Sequence, residues 1–401
     1  MPVTKLQAAR RNSDPHLWAA MSALAVLSLV LVIGTSHAVH LERTTRGATA
    51  CRWFPLKNQG LAFQKAAVAG DDVLPLYGSS EMHTESINDK AGEFFCGAPT
   101  GFEVSPVGKA GTTSVIILQK VAALSSSLEN KKVAISFSPT WFFTGVNPAF
   151  YEGNFSAQTA HEAIVGSNLS FRLKSDIATR LLEFPKTSSQ SALLRSELEL
   201  FANGNFMHRR AIDLLWPMAQ MQRLIFSLQD HFESLSFLRK TRPVATRLRS
   251  QELDWEALIH DAEQTHVPLS EKAAGRSPDY SAMRAGGDAG FVARIETARE
   301  WADMELLLRA LHEVHAEPLL LSMPINARVY NDAGISHAAG KAYYEKFRAL
   351  AGRYNFKAVT FEDHDGDPNF LYGSGAHLSS AGWMYYNRAL DNFYHSRKID
   401  G

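Results

Sequence analysis

Charged side chains are absent between residues 17 and 36, where most residues are apolar. A helix of about 20 apolar residues just spans a hydrocarbon core of ~30 Å. The pattern therefore predicts one membrane-spanning helix near the N-terminus.

Basic residues stand on both sides of this segment. Lys5, Arg10 and Arg11 precede it and favour a cytoplasmic N-terminus, with the body of the chain on the far side of the membrane, although three arginines soon follow. A cleaved signal peptide is the alternative, because residues 36–38 resemble a small-x-small cleavage site. We expect the segment to be retained as an anchor, since it is long for a signal peptide.

Four short apolar runs further along the chain have the length and composition of buried strands. They are residues 73–77, 132–137, 318–323 and 356–361. Helical patterns lie between and after them. This alternation predicts an α/β fold with a parallel, doubly wound sheet, whose ligands bind at the carboxyl ends of the strands.

An unusually long stretch, about residues 147–316, separates the second predicted strand from the third. Its apolar spacing fits amphipathic helices over residues 169–182, 192–201 and 212–238. Residues 263–290 are rich in Gly, Ser, Pro, Ala and charge, which predicts a mobile loop. We therefore expect a helical insertion over the sheet.

Composition narrows the function. The 41 lysines and arginines balance the 41 aspartates and glutamates, so no strong positive field recruits nucleic acid. The densest basic run, residues 239–249, is interpreted as a solvated helix end or loop, with contact to anionic lipid or polymer as the alternative. No Cys/His cluster has metal-site spacing and no P-loop or dinucleotide fingerprint occurs, so neither a metal nor a cofactor is predicted. The two cysteines, Cys51 and Cys96, can form a disulfide outside the cytoplasm or remain two unpaired buried thiols.

Two segments carry the chemistry: Gly78-Ser79-Ser80-Glu81 directly after the first predicted strand, and residues 374–379 near the C-terminus. A serine on a glycine turn after a strand, together with a histidine that opens the last helix, brings a nucleophile and its base to one edge of the sheet. An imidazole that takes the serine proton contributes roughly 10²- to 10⁴-fold in rate. If Ser80 starts a helix, its backbone N–H can also donate to a developing oxyanion. Taken alone, the tetrapeptide is more typical of an ordinary turn and helix N-cap, and the His377 segment is what favours the catalytic interpretation.

The serine segment resembles the nucleophile block of the SGNH (GDSL-like) hydrolases, in the form found in DltD proteins of the D-alanyl-lipoteichoic acid pathway. Further segments resemble the same family in the same order along the chain. They are Ser138-Pro139-Thr140-Trp141-Phe142, Gly153-Asn154-Phe155-Ser156, Met323-Pro324-Ile325-Asn326, and His377-Leu378-Ser379 with Gly382-Trp383. The resemblance implies an αβα sandwich, an anchored extracytoplasmic domain, Ser80 as the nucleophile and His377 as the base.

The chain departs from the family at one position. The family pattern is Asp-x-x-His, and here the position of the aspartate is Ser374. A serine cannot supply the negative charge that orients the imidazole, and loss of that charge from a well-studied triad costs about 10⁴ in rate. Another acid can serve, with Asp363, Asp365 and Asp367 nearest in sequence; otherwise the enzyme works as a serine–histidine dyad, or catalysis has been lost.

The resemblance also suggests oxyanion donors beside the N–H of Ser80. Gly111 occupies the place where this superfamily offers a second backbone N–H, although a plain turn glycine is the alternative. Thr140 falls where the superfamily carries an asparagine, and its hydroxyl is a weaker donor than an amide. His83 lies one helical turn beyond Ser80 and is interpreted as a partly exposed helix residue that can approach the site.

These expectations describe a membrane-anchored O-acyltransferase that works through an acyl-serine and resembles DltD in D-alanylation, or another O-acylation, of a cell-envelope polymer. The expected organisation is a cytoplasmic N-terminus (1–16), an anchor (17–36), a connector (37–70) and an SGNH-like catalytic domain (71–401). By resemblance, its partners are a membrane-bound O-acyltransferase, acyl-carrier pathway proteins and an envelope polymer or glycan acceptor. The domain would lie outside the cytoplasmic membrane, in the periplasm if the source is Gram-negative. The alternatives are an esterase or thioesterase that removes acyl groups, and an inactive tethered scaffold for an acyltransferase.

Overall fold

A computed structural model describes residues 15–83, 87–144, 147–204, 206–241, 250–265, 286–372 and 377–399. Helices α1 to α9 are Pro15–Thr44, Arg46–Thr49, Pro55–Gln59, Ala62–Val68, Ala91–Gly97, Ser114–Ala123, Thr140–Thr144, Pro148–Asn154 and Ala157–His161. Helices α10 to α19 are Phe171–Leu182, Pro185–Ser188, Ala192–Asn203, Phe206–Leu238, Trp255–Thr265, Gly287–Thr297, Glu300–Glu313, Ala327–Asp332, His337–Arg353 and Ser380–Tyr394. Strands β1 to β7 are Val73–Tyr77, Glu103–Val107, Lys132–Phe137, Glu317–Ser322, Lys357–Val359, Leu371–Tyr372 and His377–Leu378.

A parallel sheet of five strands, in the order β2-β1-β3-β4-β5, forms the centre of the fold. All four predicted strands are present in it, which confirms the parallel α/β fold. Strand β2 was not predicted, because Ser105 and Pro106 interrupt its apolar pattern. It lies at the edge of the sheet, where a proline removes no ladder hydrogen bond.

Helices cover both faces of the sheet. Successive side chains of a strand point to opposite faces, so in β3 Val133 and Ile135 enter one core cluster and Ala134 enters the other. Helices α6, α16 and α18 contribute to the first cluster, and α5, α14 and α19 to the second. The arrangement is an αβα sandwich of the SGNH type.

The long stretch between β3 and β4 is helical, as its apolar spacing predicted. Helices α10, α12 and α13 fall on the three predicted segments, although α13 begins earlier than expected, at Phe206. The predicted loop over 263–290 is helical at both ends, in α14 and α15. Its central part, residues 266–285, lies outside the described residues, as do residues 242–249 of the basic run.

Helix α1 is the one helix of the described chain long and apolar enough to cross a membrane. Its last turns pack against α13, where the Glu42 carboxylate lies 2.9 Å from Nδ1 of His231. The segment predicted as a connector folds into α2, α3 and α4, and α4 is buried against β1. Cys51 and Cys96 form a disulfide across a Cα distance of 5.5 Å, which ties the connector to α5.

Candidate active site

The turn that carries Ser80 follows β1 and depends on glycine. The Gly78 N–H donates to the Val107 carbonyl oxygen over 3.0 Å, which extends the pairing of β1 with β2 by one residue. A Cβ on Gly78 would lie 2.3 Å from Oε1 of Glu81, so a larger residue there would displace the Glu81 carboxylate. Ser80 then begins a single 3-10 turn, Ser80–Met82, and not the longer helix that we expected.

His377 reaches Ser80 from a short strand. We predicted that His377 opens the last helix, and this is wrong: His377 lies in β7, which pairs antiparallel with β6, and α19 begins three residues later at Ser380. The Ser379 hydroxyl accepts the Gly382 N–H and so caps that helix. The backbone of His377 is paired with Tyr372 of β6.

Ser80 and His377 are hydrogen-bonded. The distance between Ser80 Oγ and His377 Nε2 is 2.7 Å, across 297 residues of sequence. This is the geometry in which an imidazole can take the proton of an attacking hydroxyl. The fold therefore brings together the two residues that the sequence predicts as nucleophile and base, and their catalytic role stays a prediction.

Glu81 lies beneath the serine turn and had no predicted chemical role. Its side chain is 2 % exposed, and Oε1 accepts the Ser79 N–H over 2.9 Å. Burial raises the pKa of Glu81, and a positive charge on His377 acts in the opposite direction. Conversely, an ionised Glu81 stabilises the imidazolium form of His377. The available sequence signal was a carboxylate directly after the predicted nucleophile.

The loop with the predicted oxyanion donor Gly111 lies directly beside the serine turn. A Cβ on Gly108 would lie 2.1 Å from the Gly78 carbonyl oxygen, and Gly108 has a φ of 156°. The Ser79 hydroxyl donates to the Lys109 carbonyl oxygen over 3.3 Å. Gly111 has a φ of 79°, in the left-handed region that favours glycine.

Asn154 holds this loop from the other side. Its Nδ2 donates to the Ala110 carbonyl oxygen over 3.0 Å, and its Oδ1 accepts the Thr112 hydroxyl over 3.0 Å. Lys109 adds a hydrogen bond from Nζ to the Gly153 carbonyl oxygen. Asn154 lies in one of the family-like segments, but nothing in that segment indicated that it positions the oxyanion loop.

Two further predicted residues lie at the same edge of the sheet. Thr140 begins α7 just after β3, and its hydroxyl is 2.7 Å from that of Ser138. His83 approaches the site, as one interpretation allowed: its Nδ1 lies 3.3 Å from the Ser80 carbonyl oxygen. Its ring centroid is 4.4 Å from that of Trp53, whose indole N–H donates to the Gly108 carbonyl oxygen. Trp53 and His83 thereby link the serine turn to the oxyanion loop.

The nearby aspartates bond to other groups. Asp365 accepts the Ile325 N–H over 2.8 Å and the Tyr344 hydroxyl, and its second oxygen is 3.6 Å from Nδ1 of His337. Asp367 accepts the Asn369 N–H over 2.8 Å and lies 3.3 Å from Nδ1 of His364. Ser374 lies outside the described residues. The third member of the site therefore stays a prediction.

We expect Glu81→Gln to change the pH dependence of serine labelling. Gln retains the oxygen that accepts the Ser79 N–H but removes the charge, and loss of a nearby negative charge lowers the pKa of His377. Labelling needs the neutral imidazole of His377. The acid limb of the plot of labelling rate against pH should therefore move to lower pH. The measurement is the rate of labelling by a fluorophosphonate from pH 5 to pH 9.

The control for Glu81→Gln is Glu93→Gln, which removes an exposed carboxylate on α5 and should leave the profile unchanged. Glu81→Ala should slow labelling and destabilise the fold, because a buried N–H without an acceptor costs about 1–3 kcal/mol. A Glu81→Gln profile identical to wild type would show that Glu81 acts only as a hydrogen-bond acceptor.

We expect Asp365→Asn to flatten the pH dependence of stability. Burial raises the pKa of Asp365 to about 7 from 3.8. The protonated Asp365 carboxyl therefore stabilises the folded state. This contribution is fully present below pH 3.8 and is lost as the pH rises through 7. Between pH 5 and pH 8 the free energy of unfolding of the wild type should therefore fall by on the order of 2 kcal/mol, and that of the variant should not show this fall. Denaturant unfolding at both pH values measures this difference.

Asp363→Asn, at an exposed position of the same segment, is the matched control and should follow the wild type. Because Asp365 is bonded to Ile325 and Tyr344, Asp365→Asn should also label at the wild-type rate. If labelling instead falls as far as in His377→Ala, Asp365 is the acid of the site.

Comparison with known proteins identifies the family. The family model described as DltD protein matches residues 52–395. The protein DltD of Bacillus subtilis (strain 168) is 24 % identical over 372 residues, which cover 89 % of this chain and 91 % of the relative. The protein DltD of Staphylococcus aureus (strain NCTC 8325 / PS 47) is 22 % identical over 83 % of each chain. The protein DltD of Lacticaseibacillus rhamnosus is 22 % identical over 97 % of this chain and 92 % of the relative. The chain belongs to the DltD family.

Proposed function

We propose that this protein is a membrane-anchored, extracytoplasmic O-acyltransferase that carries its acyl group on Ser80. The observation that carries the proposal is the hydrogen bond of 2.7 Å between Ser80 Oγ and His377 Nε2 at the carboxyl edge of the sheet. Membership of the DltD family supports D-alanylation of an envelope polymer as the reaction.

In the first step, Ser80 Oγ attacks the carbonyl carbon of an acyl donor while His377 Nε2 takes the hydroxyl proton. The negative charge that develops on the carbonyl oxygen is received by backbone N–H groups, for which we assign Ser80 and Gly111. The tetrahedral intermediate collapses, the donor group leaves with the proton from His377, and an ester on Ser80 remains. Thr140, at the same sheet edge, is a third possible donor.

In the second step, a hydroxyl of the acceptor polymer attacks the acyl-serine. His377 takes the proton of that hydroxyl and returns it to Ser80 Oγ as the ester bond to Ser80 breaks. The acyl group is now an ester of the acceptor. The resemblance to DltD proteins supplies the donor side: a membrane-bound O-acyltransferase and acyl-carrier proteins that deliver the acyl group.

We assign the supporting negative charge to Glu81. Asp365 and Asp367 have other hydrogen-bond partners, whereas Glu81 is buried beneath the nucleophile and interacts electrostatically with His377. In a low-dielectric site a buried carboxylate stabilises a nearby imidazolium without touching it.

Two features support the extracytoplasmic location. The Cys51–Cys96 disulfide suits an oxidising compartment, and the exposed apolar part of α1 suits a bilayer.

Hydrolysis in place of transfer would need only that water, and not a polymer hydroxyl, reaches the acyl-serine.

We expect Ser80→Ala to abolish covalent labelling by a fluorophosphonate, because the nucleophilic oxygen is gone. His377→Ala should lower the labelling rate by at least ~10², since the base is lost while the oxyanion donors remain. Labelling followed by mass spectrometry of the Ser80 peptide measures both effects.

Ser79→Ala is the matched control. The Ser79 hydroxyl bonds to the Lys109 carbonyl oxygen, so we do not expect it to react, and this variant should be labelled like the wild type. Full labelling of Ser80→Ala would exclude Ser80 as the nucleophile. A folded wild type that is never labelled would favour the scaffold.

We expect a D-alanyl thioester of a small thiol to acylate Ser80, with the mass increase of one alanyl group on the Ser80 peptide. A glycerol phosphate oligomer should then discharge the acyl-enzyme faster than buffer alone and become esterified. Discharge at the same rate with and without the oligomer, with free alanine as the product, would identify an esterase.

A further inference from the structure

Helix α13 exposes a continuous apolar surface that nothing in the described chain covers. We define the outer stripe as Leu214, Met218, Met221, Leu224, Ile225 and Phe232, whose side chains are 37–82 % exposed. Their spacing of three and four residues places them on one side of the helix over about five turns. Soluble proteins rarely expose an apolar stripe of this length without an interaction partner.

The opposite face of α13 fixes the direction of the stripe. Arg223 donates from Nε to Glu162 over 2.6 Å, and Asp230 accepts the N–H groups of Leu61 and Ala62, each over 2.8 Å. Ala219, on the same inner side, is 3 % exposed. Between residues 214 and 229, Arg223 is the one charged side chain, and it points inward to Glu162. The stripe therefore faces away from the sandwich and carries no charge.

Contact with α1 indicates what the stripe faces. The Phe232 ring lies only 2.8 Å from where a Cβ on Gly34 would stand, so the two helices are in close contact there. Gly34 belongs to the uncharged segment 17–36, whose side chains are themselves exposed, with Leu24 at 65 % and Ile33 at 59 %. If that segment spans the bilayer, one end of the stripe lies at the boundary between hydrocarbon and head groups.

We propose that α13 is an interfacial membrane helix whose outer stripe is inserted among the lipid acyl chains of the outer leaflet. This rests on the proposed membrane anchoring by α1. Lipid is favoured because the stripe is continuous with the exposed apolar surface of α1 at Gly34 and Phe232. An uncharged apolar face opposite a polar one is the pattern of helices that lie in the membrane plane.

The consequence is a second attachment of the domain to the membrane. A domain held by α1 alone could rotate about the helix axis and tilt, whereas α1 and α13 together define a plane. The active site would then keep a constant height above the membrane, where it meets its acyl donor and its polymer.

The test is depth-dependent quenching in full-length protein reconstituted into vesicles of phosphatidylglycerol and phosphatidylethanolamine. Both native cysteines form the disulfide, so Met218→Cys, Met221→Cys or Ile225→Cys adds one free thiol for an environment-sensitive fluorophore. Lipids with a nitroxide on the acyl chain should quench each probe at least about twofold, because an interfacial helix sits ~5–10 Å into the leaflet. Glu199→Cys, an exposed site on α12, should not be quenched.

Leu27→Cys on α1 separates this inference from the proposed anchor. Quenching at Leu27→Cys without quenching at the three stripe positions would overturn the inference and leave the anchor standing. No quenching at Leu27→Cys would overturn both. Disulfide-linked dimers of Met221→Cys, formed without quenching by lipid nitroxides, would show that the stripe faces a second copy of the chain. Labelling of Ser80 by a fluorophosphonate verifies that each variant is folded.

Discussion

The candidate site depends on one close contact between two backbones at the carboxyl edge of the sheet. The Gly78 N–H donates to the Val107 carbonyl oxygen, and Gly108 approaches Gly78 so closely that a Cβ on Gly108 would lie 2.1 Å from the Gly78 carbonyl oxygen. This contact places the serine turn against the loop that contains Gly111. The remaining contacts of the site reinforce it: Ser79 bonds to Lys109, and Trp53 bridges Gly108 and His83. The relative positions of Ser80 and Gly111 therefore depend on the parallel pairing of β1 with β2.

The sequence predicted the features that depend on local apolar pattern. Four buried strands, three insertion helices and the apolar helix follow from periodicity, and the Ser80 and His377 pairing follows from the rule that strand ends meet at one edge. Strand β2 was not predicted because Ser105 and Pro106 interrupt its apolar pattern. Such residues are tolerated in an edge strand, and the position of a strand in the sheet is a tertiary feature that local sequence does not indicate. His377 was placed wrongly because a two-residue strand leaves no periodic signal; its pairing with β6 is a tertiary contact.

The roles of Asn154 and Glu81 illustrate a second limit. Each acts through a hydrogen bond to backbone, Asn154 on Ala110 and Glu81 on Ser79, and a sequence does not indicate which backbone group a side chain meets. The state of the two cysteines depends in the same way on their separation in space. Motif reasoning finds the groups that react, whereas the groups that hold them become visible only once the chain is folded.

Our assignment of Glu81 would compensate for the family aspartate that is absent at Ser374 without a displaced aspartate. An acid in a triad has two separable effects: it orients the imidazole by a hydrogen bond, and its charge stabilises the imidazolium. In this fold the β6–β7 pairing positions the backbone of His377, and in our proposal Glu81 contributes the charge from beneath Ser80. Because Glu81 is buried, its field is weakly screened, although burial also raises its pKa and so reduces the fraction that is ionised. Protonation of His377 during the reaction would favour ionisation of Glu81, so the two groups would support each other most strongly when the imidazolium forms.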